Sequence, residues 1–316
     1  MRNIWKDGIF GVVVGDALGC PVQFESRSKV AEHPVRGMRG HGTFDLPAGS
    51  WTDDSSLTLA LLESIGRTGS LELKDIMGNF VDWLDKGAFT PYGYSYDIGG
   101  GTMKAIEAYK RQGNPFLCGG RDAWNNGNGS LMRIMPACLY CCRKELSDSE
   151  AVRAIHAVGS LTHAHIRANI ACGLYYFMIR EVLNGEGSLT ERMQKGLDRG
   201  FVHYENALDD QTELKNYERL RVLEKFALIP EEQIRSSGYV VDTLEAVVWA
   251  LITTGSFEEA LLKVVNLGDD SDTTGAIAGG LAALYYGFEA IPSEWVDEIQ
   301  RREWIVGLCA KAEQAV

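Results

Sequence analysis

Two stretches of the chain gather carboxylates and hydroxyls just ahead of an apolar segment: Trp51-Thr52-Asp53-Asp54-Ser55 before Leu57–Ile65, and Gly268-Asp269-Asp270-Ser271-Asp272-Thr273 before Ala276–Tyr286. Each alone reads as helix capping, because Thr, Ser and Asp side chains satisfy the orphan N–H groups of a first turn and favour the positive end of the helix dipole. Together they carry a second meaning. Two acid-rich starts of helices apolar enough to be buried can converge on one site, where like charges stay ionised only with cations between them. An all-oxygen donor set of this kind suits hard ions, Mg²⁺ or Mn²⁺.

Rival chemistries fit less well. Asp270, Asp272, Thr274 and Gly275 imitate the start of a calcium-binding EF-hand loop, but its twelfth position, which must supply a bidentate Glu, is Leu281. Cys138, Cys141 and Cys142 with His156, His163 and His165 suggest zinc, yet no second Cys-x-x-Cys or spaced His pair completes a tetrahedral set, so buried thiols are the better reading. No lysine follows Gly11, Gly15 and Gly19 in the form of a phosphate-cradling loop. These glycines fall instead on one helical face, open to close approach by a neighbouring helix.

The elements that must position the acids are helical. Leu244, Val247, Val248, Leu251 and Ile252 follow the i, i+3, i+4, i+7, i+8 spacing, as do Phe257, Ala260, Leu261, Val264 and Val265. Ile166, Ile170, Leu174, Phe177 and Met178 form a third stripe, and Leu57, Leu61 and Ile65 a fourth. No alternating run is long enough for a strand, so the fold is predicted to be all-α. Loops rich in Gly, Asn, Pro and Tyr at about 87–101 and 113–130 are long enough to suggest function. The charged segment from about Asp198 to Arg235 reads as solvated helices and a connection. With no repeat and no shift in composition, residues 1–316 are expected to form a single domain.

Composition narrows the classes. An apolar fraction of 45% with 23% charged residues excludes disordered, collagenous and membrane-embedded chains. A net charge of −12 argues against a nucleic-acid partner, which needs an excess of cations. Ile9–Val14 is too short for a membrane span and lacks the form of a signal peptide, so no membrane partner is expected. Seven cysteines, an odd number, point to reduced and mostly buried thiols in a cytoplasmic protein.

Six motifs occur in an order that carries a resemblance: Gly15-Asp16-Ala17-Leu18-Gly19, Trp51 through Ser55, Asp97-Ile98-Gly99, Gly127 through Arg133, Leu161-Thr162-His163, and Gly268 through Gly287. From residue 11 to about 295 the chain resembles the ADP-ribosylglycohydrolase family, which includes the dinitrogenase-reductase-activating glycohydrolases and the eukaryotic ADP-ribosylhydrolases. The resemblance implies an orthogonal helical bundle with a dinuclear Mg²⁺ or Mn²⁺ centre at the bottom of a cleft for ADP-ribose. On the matching positions Thr52, Asp53, Asp54, Asp270, Asp272 and Thr273 would be metal ligands. Backbone N–H groups of Gly127, Asn128, Gly129 and Ser130 would face the diphosphate, His163 would lie near the distal ribose, and Tyr239 would be placed to stack on adenine. The implied enzyme hydrolyses the N-glycosidic bond between ADP-ribose and a protein side chain, arginine rather than serine. Its substrate would be an ADP-ribosylated protein and its product ADP-ribose.

Asp97 matches the family's candidate general base, and Asp54 and Asp270 join it as catalytic carboxylates. Blander readings are a turn for the glycine loop, a satisfied core histidine for His163, a helix-packing Tyr239, and an N-cap role for Asp97 on a helix from about Thr102 to Tyr109. The sequence also departs from the family: Gln23 stands in the substrate pocket where a glutamate is common, and an amide can neither accept nor donate a proton at neutral pH. Either Asp97 carries the base role alone, or Glu25 reaches the same space, or the protein is a weak or silent member. Hydrolysis of a small free ADP-ribose conjugate and non-hydrolytic ADP-ribose binding are the alternatives that remain.

Overall fold

A computed structural model describes residues 3–316. Among them are fifteen α-helices and five short 3₁₀ segments, with two isolated backbone bridges and no strand. The expected helices are present as Asp53–Thr68, Ile166–Asn184, Val240–Ile252, Phe257–Val265 and Ser271–Tyr286. Their ends follow local chemistry. Ser256 caps its helix by accepting from Glu259 N, and Gly69 ends another in the left-handed conformation at φ 67°. Irregular chain fills most of the two long loops, where a helix from Gly100 to Gln112 separates them.

The axis of the fold is a pair of 16-residue helices, Ile4–Gly19 and Ser271–Tyr286, both buried on nearly every side. They run antiparallel, with Gly11 against Gly279, Gly15 against Gly275 and Gly19 against Ser271 and Asp272. A Cβ on any of these three glycines would overlap the backbone of the facing helix. Glycine in a helix interior costs about 1 kcal/mol against alanine. Here that cost permits backbone-to-backbone contact, and it sets the end of the first helix beside the start of the second, where Asp272 lies.

One contiguous core runs from Trp5 to Ala312. The charged segment from Asp198 to Arg235 departs from the expectation of solvated helices. Tyr204, Leu214, Tyr217, Leu220, Leu223 and Phe226 are all buried, and the Tyr217 hydroxyl donates to Arg167 O at 2.7 Å. Apolar residues are sparse in this segment, and its aromatic residues and most of its leucines point inward while Val202, Val222 and Leu228 stay exposed with the charges. All seven cysteines are unpaired, six of them buried, as expected. Among the described residues no helix is long and apolar enough to cross a membrane.

Candidate active site

The two acid clusters meet. Thr52 and Asp270 occupy the N-cap positions of Asp53–Thr68 and Ser271–Tyr286, yet neither side chain makes a capping hydrogen bond. Thr52 Oγ1 instead lies 3.1 Å from Asp16 Oδ1, 3.2 Å from Asp54 Oδ2 and 3.2 Å from Asp272 Oδ2. Thr273 Oγ1 reaches Asp54 Oδ2 from the other helix at 3.4 Å. Capping therefore does not account for either cluster. The side chains that would have capped are turned toward each other across the cleft floor.

Asp16 does the capping from a distance. It projects from the first helix, completely buried, and accepts from Thr52 N at 3.0 Å, Ser55 N at 2.9 Å and Ser55 Oγ at 2.6 Å. This carboxylate holds the start of the Asp53–Thr68 helix in place, and sequence reasoning assigned it no role. The available signal was an acid between Gly15 and Gly19 in an otherwise apolar helix. Burial pushes its carboxyl up to about 7, against the lowering effect of those hydrogen bonds.

Asp97 arrives on the loop before Gly100–Gln112. The structure corrects its blander reading: Gly99, not Asp97, precedes that helix, and Asp97 adopts φ 52°, a left-handed conformation that costs a non-glycine residue of order 1 kcal/mol. Its carboxylate accepts from Gln23 Nε2 at 2.9 Å and lies within hydrogen-bonding reach of Asp272. Gln23 is buried and lines the cleft. Glu25 does not reach this space. It pairs with Lys29 Nζ at 2.7 Å on the outside. Asp269 serves through its backbone: Phe24 N donates to Asp269 O at 2.6 Å and Asp269 N to Glu25 O at 2.7 Å, so two loops are fastened at the cleft mouth. Phe24 and Asp269 are also left-handed, at φ 66° and 54°.

The electrostatics of the floor are one-sided. Burial, followed by mutual repulsion, drives the carboxyls of Asp53, Asp54 and Asp272 well above the usual range, and burial raises Asp97 and Asp270 as well. Among the described residues no Lys or Arg pairs with any of them, and Asp54 Oδ1 and Asp272 Oδ1 are fully buried without a hydrogen-bond partner. Two orphaned carboxylate oxygens in an all-oxygen donor set fit hard divalent cations. Among the described residues no three acidic, histidine or cysteine side chains are placed so that together they could already hold a metal ion.

The opposite wall comes from the glycine loop and His163. Asn128 N donates to Gly238 O and Val240 N to Asn126 O, both at 3.0 Å, which pins the loop to the start of Val240–Ile252. Of the four amides expected to face a diphosphate, that of Asn128 is therefore already spent. Its side chain instead donates to Asp270 Oδ2 at 2.6 Å and Thr243 Oγ1 at 2.9 Å, tying wall to floor. Ser130 is wholly buried, with its hydroxyl beside Cys172 Sγ, and unlike Gly127, Asn128 and Gly129 it does not line the cleft. His163 lines the cleft with Gly127, Asn128, Gly129, Asp53, Asp97, Asp270 and Thr273. Burial and the charge of Arg133 depress its imidazole to about 3, so it is neutral at working pH. Tyr239 is not among the lining residues. Its hydroxyl accepts from Arg167 Nη1 at 3.0 Å, and its ring lies under the Arg167 guanidinium.

The ADP-ribosylglycohydrolase family description matches residues 3–316. The ADP-ribosylarginine hydrolase Tri1 of Serratia proteamaculans is 31% identical over 303 residues, spanning 96% of this chain and 77% of that protein. The protein of the same name from Pseudomonas putida is 34% identical over 299 residues, spanning 93% and 73%. The ADP-ribosyl-[dinitrogen reductase] glycohydrolase of Rhodospirillum rubrum is 31% identical, spanning 92% of this chain and 88% of its own. A solved structure described as an ADP-ribosylglycohydrolase-related protein complex has a TM-score of 0.77 at 30% identity, covering 99% of this chain and 98% of that one.

Proposed function

The chain belongs to the ADP-ribosylglycohydrolase family and is an ADP-ribosyl glycohydrolase, and from that premise we propose that it removes ADP-ribose from modified arginine side chains of proteins. The observation that carries this reading is one cleft lined by Asp53, Asp97 and Asp270 together with a glycine loop and a neutral histidine, with the orphaned oxygens of the buried Asp54 and Asp272 in the same acidic cluster. Thr52, Asp53, Asp54, Asp270, Asp272 and Thr273 would hold two Mg²⁺ or Mn²⁺ ions. When bound, such ions supply Lewis-acid polarisation of ribose oxygens and of water. The arginine-directed relatives favour arginine over serine or a small free conjugate. The seven unpaired cysteines favour a reducing, cytoplasmic setting, and the unbroken core favours one domain.

The chain's own residues divide the work. Backbone amides of Gly127 and Gly129, which line the cleft, would face the diphosphate, and close approach is possible where side chains are absent. Breaking the bond from ribose C1″ to the guanidinium nitrogen leaves an oxocarbenium-like sugar, beside which the acidic floor is electrostatically favourable. Asp97 takes a proton from the attacking water as its oxygen bonds to C1″. The guanidine departs with the bonding electron pair and takes up the proton released from Asp97, so the water ends as the C1″ hydroxyl and the guanidinium proton, and Asp97 returns to its ionised form. Gln23 replaces a titrating group by a fixed donor: its amide holds Asp97 Oδ2 and favours the ionised base. Asp54 and Asp270 act by holding charge near the reacting centre.

The test is release of ADP-ribose from an arginine-modified protein by purified enzyme with Mg²⁺. Turnover should fall at least about 10²–10³-fold in the Asp53→Ala, Asp272→Ala double variant. Equal release by the double variant would overturn the metal-assisted mechanism, and release from serine-modified but not arginine-modified protein would overturn the substrate.

A further inference from the structure

Arg133 is the largest charged side chain in the core, with no exposed surface and no carboxylate partner among the described residues. It rests over the Phe80 ring at 4.8 Å, touches Val158 O at 3.4 and 3.5 Å, and leaves its Nε unpartnered. Such a burial is costly, and one short contact stands out: Nη2 donates to Thr162 Oγ1 at 2.7 Å. Thr162 Oγ1 in turn lies 2.8 Å from His163 Nδ1.

Proton counting decides the direction of that second contact. A guanidinium only donates, so Thr162 Oγ1 accepts from Arg133. If His163 Nδ1 carried a proton, it too would donate to Thr162 Oγ1. The buried Thr162 hydroxyl proton would then have no other acceptor within hydrogen-bonding distance among the described residues. An unsatisfied buried hydroxyl costs about 1–3 kcal/mol. If Nδ1 is the acceptor, the Thr162 hydroxyl proton is placed, and the single proton of the neutral imidazole resides on Nε2. That nitrogen faces the cleft, where ideal Cβ positions on Gly101, Gly129 and Gly127 would lie 3.0, 3.3 and 3.5 Å from it.

We propose that Arg133, acting through Thr162, is a positioning residue that fixes His163 as the Nε2–H tautomer, so the cleft always meets a hydrogen-bond donor at that point. His163 then acts as neither general base nor metal ligand. It addresses an oxygen acceptor of the bound ligand, a ribose hydroxyl or phosphate oxygen, from the side opposite the acidic floor. The identity of that ligand rests on the function proposed above, whereas the tautomer does not. Depression of the imidazole to about 3 agrees with a ring held neutral beside a buried cation.

The experiment is ¹⁵N–¹H correlation spectroscopy of the intact protein labelled at histidine, with His163→Gln assigning the ring. The expected spectrum has a protonated Nε2 and an unprotonated Nδ1 at neutral pH. Thr162→Ser should keep it, while Thr162→Val should populate the Nδ1–H form and weaken ADP-ribose binding about fivefold to tenfold relative to Thr162→Ser. An Nδ1–H ring in the unaltered protein, or a Thr162→Val spectrum identical to it, would overturn the inference. If Thr162→Val does not fold, the spectrum of the unaltered protein decides alone. An Nε2–H ring in a protein that fails to bind ADP-ribose would leave the relay standing and remove the functional reading.

Discussion

The floor of the cleft and its histidine wall are both buried and both polar, but they are completed in opposite ways. On the floor, Asp16, Asp53, Asp54, Asp97, Asp270 and Asp272 crowd their acceptors together, with a few hydroxyls, the amides of Gln23 and Asn128 and two backbone N–H groups as donors, and two of their oxygens have no partner. On the wall, the contacts from Arg133 through Thr162 to His163 place the Thr162 hydroxyl proton and leave one imidazole donor aimed at the cleft, with Arg133 Nε the one atom of the relay lacking a partner. There the chain supplies its own donors and acceptors between Arg133, Thr162 and His163. The floor is satisfied only by something positive from outside, and that difference assigns them separate tasks: charge chemistry on one side, fixed recognition on the other.

The sharpest way to break the comparison is to give the floor one more donor. Asp272→Asn puts an amide among the crowded acceptors. It should lower turnover roughly 10²–10³-fold while raising the melting temperature of the chelator-treated protein by about 2 °C or more. Adding Mg²⁺ should then stabilise the unaltered protein strongly, by about 2.7 kcal/mol at a hundred times its dissociation constant, and the variant much less. A chelator-treated variant that melts below the unaltered protein would show that the floor is content without cations.

A smaller effect tests the wall. His163 titrates near 6.5 when unfolded and at about 3 when folded, so between those values the unfolded chain binds more protons. Its contribution is fully present above about pH 6.5 and is lost progressively as pH falls. Between pH 7 and pH 5 the unaltered protein should lose about 2 kcal/mol relative to His163→Gln, whose amide can still accept from Thr162. Denaturant titration of both proteins across that range reads the difference directly, and parallel stability curves would mean that His163 is not held neutral.

The two regions also differed in how far the sequence revealed them. Acids at the starts of two buried helices are a local signal, and their convergence follows from the need to relieve buried like charge. The fold class followed equally from helical spacing. Asp16 was visible only as a polar residue between glycines, because its role depends on a helix start 36 positions away. Arg133 and Thr162 were less legible still, since their meeting needs one loop packed against the end of the Asp148–Gly159 helix and the turn that carries Thr162. The facing glycines at 275 and 279 belong to the same class: Gly11, Gly15 and Gly19 announced a close neighbour without naming it.

The smallest expected effect separates stability from recognition on the wall itself. Gly101 sits in the first turn of Gly100–Gln112, and a Cβ there would stand 3.0 Å from His163 Nε2, in the path of the donor. Gly101→Ala gains about 0.5 kcal/mol from the reduced freedom of the unfolded chain, and pressing the methyl against a ring held by Thr162 offsets that gain, so stability should change by less than about 1 kcal/mol. The same methyl should shield the imidazole N–H from its acceptor and weaken ADP-ribose binding about fivefold, a fraction of one hydrogen bond. With the acceptor equally distant in ground and transition states, KM should rise while kcat holds. A folded variant unchanged in KM would mean that the ligand never reaches Nε2. The wall would then be a structural support for the floor, and the cleft would recognise its sugar through the floor and the backbone amides alone.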